Sequence, residues 1–290
     1  MIQQGTGALQ ATATVISNAE AAIYHAHVGT KSSTVAELDR SFTGIVFPLS
    51  WRRDFRLNGT LVDSTSIYTP VDGSLFLAHG WERETVAIAI SRNTFLETIS
   101  ALNAIDPNEK ELYSGAIQIP SEAAAFSRRS IVNLIASMKC VRHCYPSQKN
   151  MEEFVVKKIL ANLTDLYQQA TPLPHRERRR NTKLGKIVRD AEEYFEAVGA
   201  GPISLADLCS AASVSQGTLY HAFGVVSGET PMMHFKKRRL TEARLSLLSS
   251  DNRRGAVKVA ALSHGFSHFG RFAEEYFSLF GEYPKTTLSK

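Results

Sequence analysis

The sequence predicts an α+β protein: an N-terminal β-barrel with trailing helices, followed by an all-α domain that holds two helix-turn-helix units. Three observations carry this expectation. Short β-branched and apolar runs broken by turn residues occupy residues 1–92, longer stretches with helical periodicity occupy 93–170, and a small helix, a tight turn and a second helix recur as a pattern twice between Ser204 and Leu288. At 290 residues the chain is long enough for two domains, each with its own core. Its 43% hydrophobic and 21% charged residues are those of an ordinary globular protein.

The strand reading comes from SFTGIVFPL (41–49), FRLNGTLVD (55–63), SIYTPVDGSLFLAH (66–79) and TVAIAIS (85–91). Asn58-Gly59, Pro70 and Asp72-Gly73 interrupt these runs where tight turns would join strands. From Arg92 the texture changes to NTFLETISAL, SEAAAFSRRSIVNLIASM and MEEFVVKKILANLTDLYQQ. In the last of these Phe154, Val155, Ile159, Leu160, Leu163 and Leu166 make a wide apolar stripe. Residues 171–183, TPLPHRERRRNTK, combine two prolines with a basic cluster and no apolar periodicity, so they read as a linker. The expected domains are therefore 1–170 and 184–290, with Arg176, Arg178, Arg179 and Arg180 of the linker able to touch a nucleic-acid backbone.

The repeated pattern carries the functional reading. In the first unit Leu205, Leu208, Cys209 and Ala212 follow the i, i+3, i+4, i+7 spacing of a buried stripe, with Ser204 and Asp207 placed as reciprocal caps. After a turn at Ser213-Val214, Ser215 caps a second helix that Leu219 and Phe223 anchor, leaving Gln216, Gly217, Tyr220 and His221 outward. In the second unit Val257, Ala260, Ala261 and His264 lie on the bracing helix, Gly265 ends it, and Phe266 plugs the core beneath the turn. Phe272 and Tyr276 anchor the next helix, with Phe269, Gly270, Ala273 and Glu274 outward and His268 and Arg271 near its start. Either unit alone would serve equally as a helical hairpin of a bundle; two in tandem favour a protein that presents two helices to successive major-groove faces of double-stranded DNA.

Charge agrees with that reading. The chain carries 33 Lys+Arg and 28 Asp+Glu, a net +5, and residues 171–290 hold 18 of the basic but only 12 of the acidic residues. A basic domain attracts phosphate and releases counterions on binding. Lys236, Lys237, Arg238 and Arg239 form a run on the helix joining the units and are expected at phosphates, with an internal salt bridge open for Arg239 and for Arg244.

The stretch from about Leu184 to Leu288 resembles the DNA-binding domain of the AraC/XylS family of bacterial transcriptional regulators. The resemblance rests on Ser215 with Leu219 and Phe223, Arg239-Leu240 with Ala243-Arg244 and Leu247, Gly265-Phe266, Arg271-Phe272, Phe280-Gly281 and Pro284. It implies a seven-helix domain in which one long helix joins the two units, so that one subunit covers a bipartite half-site. Gly217 and His221 stand where the family usually has long base-contacting side chains, and Glu274 occupies a contact position in the second unit. Those departures point toward phosphate and shape readout, or toward cytosine opposite Glu274. The order of parts is also similar to the larger family members. This implies a cupin-like N-terminal portion holding a small-molecule effector, homodimerisation through helices, and activation through RNA polymerase. Phe47, Trp51, Tyr68, Phe76 and His79 are the candidates to line an effector site, against the plainer expectation that strand aromatics fill a core.

No metal or other cofactor is expected. His25-x-His27 is similar to the histidine pair of metal-binding cupins, but Lys31 stands where the following glutamate belongs. Cys140, His143 and Cys144 lack a second ligand pair, and three cysteines fit a reducing compartment. No apolar run reaches the roughly 18 residues that a membrane span needs, and no charged start precedes an apolar stretch, so a cytoplasmic protein without membrane contact is expected. A cupin-type enzyme with a DNA-binding tail, and an architectural DNA-binding protein without a sensor, are the alternatives; the first needs a metal triad or an activated nucleophile, which the sequence does not offer.

Overall fold

The computed structural model describes all residues except 18–20, 40, 71–74, 104–114, 142–147, 173–174 and 251–254. Twelve strands form two sheets among the described residues. One has the order β1 (Ile2–Gln3), β4 (Ser32–Glu37), β9 (Leu75–Gly80), β6 (Phe55–Leu57) and β7 (Thr60–Leu61). The other runs β12 (Thr171–Pro172), β11 (Ala116–Gln118), β8 (Ser66–Tyr68), β5 (Phe42–Trp51), β10 (Arg83–Ser91), β3 (Ala21–Val28) and β2 (Ala11–Ser17). Every pairing is antiparallel.

The expected closed barrel is not shown: among the described residues the strands form two open sheets. No ladder joins one sheet to the other among the described residues, and a barrel requires that closure. Strand alternation instead builds a layered stack. Val46 and Tyr68 face the five-stranded sheet and meet Phe55 and Leu57 from it, with Val62 just beyond β7. The opposite face carries Ile45, Phe47, Ile67, Val86, Ile88 and Ile117, which are covered by α1 (Arg92–Asn103), α2 (Ser121–Val141) and α3 (Gln148–Gln169). The stripe expected on α3 is present, with Val155, Ile159, Leu163 and Leu166 nearly inaccessible; Phe154 is the exception, at 51% exposure.

Seven helices follow among the described residues: α4 (His175–Val198), α5 (Leu205–Ala211), α6 (Gln216–Val226), α7 (Pro231–Leu248), α8 (Ala256–Ser263), α9 (Phe269–Phe280) and α10 (Pro284–Leu288). They enclose two cores. Leu184, Val188, Ala191, Leu208, Leu219, Phe223 and Phe235 fill the first, and Leu240, Ala243, Leu247, Phe272, Tyr276 and Phe280 fill the second, so α7 spans both. Thr230 caps α7 by accepting from the Met233 amide, and Pro231 occupies its first turn, where no N–H is needed.

The segment read as a linker is largely helical. Pro172 closes the short edge strand β12, paired with Ile117, and α4 begins at His175. The arginines that suggested a solvated tether are good helix formers, and the apolar periodicity that drives the helix begins only at Leu184, where the core does. The outer face of the five-stranded sheet packs on this helical part, with Leu77 of β9 belonging to the first helical core.

Candidate DNA interface

The first unit is built as its sequence implies. Ser204 Oγ accepts from the Asp207 amide and Asp207 Oδ2 accepts from the Ser204 amide at 2.9 Å, a complete capping box at the start of α5. Those hydrogen bonds hold the Asp207 carboxyl below its ordinary pKa. Ser213 takes a left-handed conformation at φ 52° to turn the chain, and Ser215 Oγ then accepts from the Thr218 amide to cap α6. Leu219, Ala222 and Phe223 are fully buried beneath α6, while Gln216, Gly217, Tyr220 and His221 are exposed.

The second unit repeats the arrangement with different turn chemistry. Gly265 takes φ +81° between α8 and α9, where a Cβ would meet the Ala200 carbonyl oxygen at 2.7 Å and Arg239 Nη1 at 2.8 Å. Half-buried Phe266 packs on Phe272 with centroids 4.9 Å apart, and Phe272 and Tyr276 anchor α9. His268 takes the N-cap position and, with Phe269, Gly270, Arg271 and Glu274, is exposed. Arg271 Nε donates to Glu275 at 3.0 Å one turn on, with its side chain still 75% exposed. His264 ends α8 and bonds Ser246 Oγ of α7 at 2.8 Å.

The second helix of each unit carries glycine as its second residue, Gly217 in α6 and Gly270 in α9. A Cβ on either would meet nothing within 4 Å, so no packing contact demands glycine there. A glycine inside a helix costs about 1 kcal/mol relative to alanine. The two helix starts therefore present bare backbone outward without a structural reason for it.

The basic run on α7 is engaged within the protein itself. Lys237 Nζ donates to Glu229 and, at 2.9 Å, to the Gln4 carbonyl; its side chain is 17% exposed. Arg239 donates to the carbonyls of Gly199 and Gly201, where α4 ends, so its charge meets the negative end of a helix dipole. Arg238 pairs with Glu192, Glu196 and Glu242, and Arg244 pairs with Glu282 at 2.7 Å. Lys236 bridges to Glu275 at 3.2 Å. Helical periodicity turns these side chains toward groups within the protein: carboxylates of α4, α9, α7 itself and the segments flanking α7 and α9, and the carbonyls of Gln4, Gly199 and Gly201.

One exposed cation beside the outer face of α6 carries little signal in the sequence. Arg180, in the first turns of α4, donates from Nη2 to His221 Nε2 at 3.2 Å. Its only sequence mark is membership of a basic cluster; nothing in spacing links position 180 to position 221. Lys258 on α8, placed over the Phe269 ring at 5.6 Å, lies beside the second helix in the same way.

The five effector candidates divide three ways. Tyr68 is buried between the sheets, and Trp51 and Phe76 pack against the same cluster. Phe47 points the other way, into the core under the helices, with the Arg128 guanidinium over its ring at 5.1 Å. His79 lies on the outer face of β9, with Nε2 3.1 Å from the Val225 carbonyl of α6. A ligand between the sheets would meet neither of these last two. Burial raises the Tyr68 phenol well above its ordinary range.

His25 Nε2 lies 2.7 Å from Glu84 Oε1, a carboxylate on the neighbouring strand rather than at the position four residues beyond His27. Among the described residues no group of three or more His, Cys, Asp or Glu is arranged to hold a metal, and no helix is long and apolar enough to cross a membrane. The side chains of Cys140, His143 and Cys144 lie outside the described residues. Cys209 is a half-buried free thiol in the first helical core.

Comparison with known proteins finds relatives of the C-terminal part of the chain. A family described as a helix-turn-helix domain matches residues 208–290. XylDLEGF operon transcriptional activator 2 of Pseudomonas putida is 41% identical over 109 residues, covering 38% of this chain and 67% of that protein. The XylDLEGF operon transcriptional activator of the same organism is 40% identical over 108 residues, which are 37% of this chain but only 32% of that protein. A solved structure of a probable AraC family transcriptional regulator from Rhodopseudomonas palustris is 39% identical, covering 36% of this chain and 94% of that one with a TM-score of 0.32. On the identity and coverage of the first of these relatives, the chain belongs to the AraC/XylS family of transcriptional regulators.

Proposed function

We propose that this protein is a sequence-specific, effector-responsive transcriptional activator that reads double-stranded DNA with α6 and α9. The observation that carries the reading is the pair of exposed helices, each anchored by buried residues four apart and each with a glycine as its second residue that packing does not require. The base-reading set is Gln216, Tyr220 and His221 on α6 with Arg271 and Glu274 on α9. Ser215, Gly217, His268, Phe269 and Gly270 shape the two helix starts, where backbone N–H groups suit phosphate oxygens. Activation follows the names of the relatives, which are called activators.

The division into a sensor (1–170), a connecting segment (171–183) and a reader (184–290) belongs to this proposal, with the connecting segment acting as a stiff helical lead rather than a tether. A small-molecule effector between the two sheets would meet Trp51, Tyr68 and Phe76. A homodimer would present paired readers to adjacent half-sites and to RNA polymerase in the cytoplasm.

Selection of duplexes from a random pool by the purified full-length protein tests the reading. The expected product is a motif with two elements about one helical turn, roughly 10 base pairs, apart. Enrichment of no motif, with binding equal on every duplex, would return the protein to the architectural class.

A further inference from the structure

Arg180 and Asn181 are neighbours in the first turns of α4 and reach toward different halves of the molecule. Arg180 donates to His221 on the exposed face of α6 at 3.2 Å. Asn181 Nδ2 donates to Thr60 Oγ1 at 2.8 Å, on the strand that leaves the Asn58-Gly59 turn. Two consecutive residues thus connect the N-terminal sheet to the recognition surface.

The turn that Asn181 touches is stiff. Asn58 and Gly59 both have positive φ, 51° and 76°, as a two-residue hairpin turn of the mirror-image type requires. Asn58 Nδ2 donates to the Thr69 carbonyl at 2.7 Å, and Arg56 Nη1 donates to the Gly59 carbonyl at 3.0 Å. Gly59 sits so close to the helical part that a Cβ on it would meet Val225 at 3.2 Å and the Asn181 side-chain oxygen at 3.7 Å. A shift of this hairpin would be felt at position 181, and at its neighbour 180.

Arg180 differs from the cations of α7. It is exposed, and among the described residues it forms no ion pair with a carboxylate; one of its five N–H donors meets an imidazole nitrogen. A guanidinium beside a groove-reading helix, with most of its donors unspent, matches the fork geometry of a phosphate contact.

We infer that Arg180 is a DNA-phosphate contact of the first reader unit, and that the Thr60–Asn181 hydrogen bond makes its position answer to the N-terminal sheet. This assignment rests on the DNA-binding function proposed above. It gives the N-terminal half a direct hold on one DNA contact, with Asn181 as a positioning residue.

The test is fluorescence anisotropy of the full-length protein with the selected duplex and with a mixed-sequence duplex of equal length, from about 50 to about 200 mM salt. Arg180→Ala should flatten the slope of log affinity against log salt by about 0.9 on both duplexes, leaving their affinity ratio intact, while Arg180→Lys keeps the slope. Thr60→Val should flatten the slope in the wild-type background and change nothing further in the Arg180→Ala background. An unchanged slope in Arg180→Ala, with an unchanged circular dichroism spectrum, overturns the phosphate contact. Equal losses from Thr60→Val in both backgrounds overturn the coupling. If the wild-type protein itself shows no salt-dependent binding to either duplex, the DNA-binding proposal falls first and takes this assignment with it.

Discussion

The imidazole of His79 is bonded to the carbonyl of Val225: Nε2 on the outer face of β9 lies 3.1 Å from the oxygen at the last turn of α6. The contact is tight, since a Cβ on Gly228, just past that helix, would meet the ring at 2.9 Å. Gln4 Nε2 adds a second link, donating to the Ser227 carbonyl at 2.6 Å. The N-terminal half therefore holds the end of the helix whose beginning is proposed to face DNA.

This contact carries a pH dependence. Burial lowers the His79 pKa from its ordinary value to about 4, and the cations Arg56, Lys31 and Arg83 act in the same direction. The unfolded chain takes up its proton near pH 6.5 and the folded chain only near 4, so the stability contribution is complete above 6.5 and is lost as pH falls between the two. Each tenfold difference in proton affinity between folded and unfolded chains is worth about 1.4 kcal/mol, which makes the loss on the order of 3 kcal/mol. Urea unfolding at neutral and mildly acidic pH should show His79→Gln less sensitive to acid than the wild type. Parallel curves would assign the acid sensitivity elsewhere.

Gly217→Ala and Gly270→Ala separate stability from function. Each should stabilise the fold by about 0.5–1 kcal/mol, because alanine is the better helix former and its methyl group meets open space. Each should also weaken DNA binding, if the bare helix starts exist to approach the phosphate backbone. Variants that gain thermal midpoint and keep full affinity would show that the glycines do nothing for DNA.

The α7 cations should behave as structural groups. Arg238→Ala leaves Glu192, 8% exposed and 2.6 Å from His234, without its guanidinium, and should cost about 3–5 kcal/mol of stability. Lys237→Ala should leave the salt slope of DNA binding unchanged, because its charge is engaged by Glu229 and the Gln4 carbonyl. A flattened slope for Lys237→Ala would restore the phosphate role.

Gly265→Ala should destabilise the second unit by more than about 1 kcal/mol, combining a left-handed backbone with a clash against the Ala200 carbonyl oxygen. Denaturant midpoints decide the point; a neutral result would mean that the turn can relax.

Arg271→Ala should have the opposite profile. Its side chain is 75% exposed and its ion pair with Glu275 is a surface i, i+4 contact, so stability should change by less than about 0.5 kcal/mol. Sequence preference should relax at one position of the selected motif. Comparing motifs selected by the two proteins checks this, and identical motifs would remove Arg271 from the reading set.

Sequence alone settled what depends on local chemistry. The caps at Ser204 and Ser215, the left-handed glycine at 265, the buried anchors Leu219, Phe223, Phe272 and Tyr276, and the outward sets beside them all follow from helical spacing and turn preferences within a few residues. The turn at Asn58-Gly59 was legible for the same reason. Tertiary structure decided everything that depended on which face met which partner. It turned the Lys236–Arg239 run inward onto carboxylates and carbonyls of other elements, sent Phe47 and His79 to opposite outer faces of the stacked sheets, left the sheets open, and set Arg180 against His221. Periodicity tells which residues share a face; only the packing of distant segments tells what that face touches.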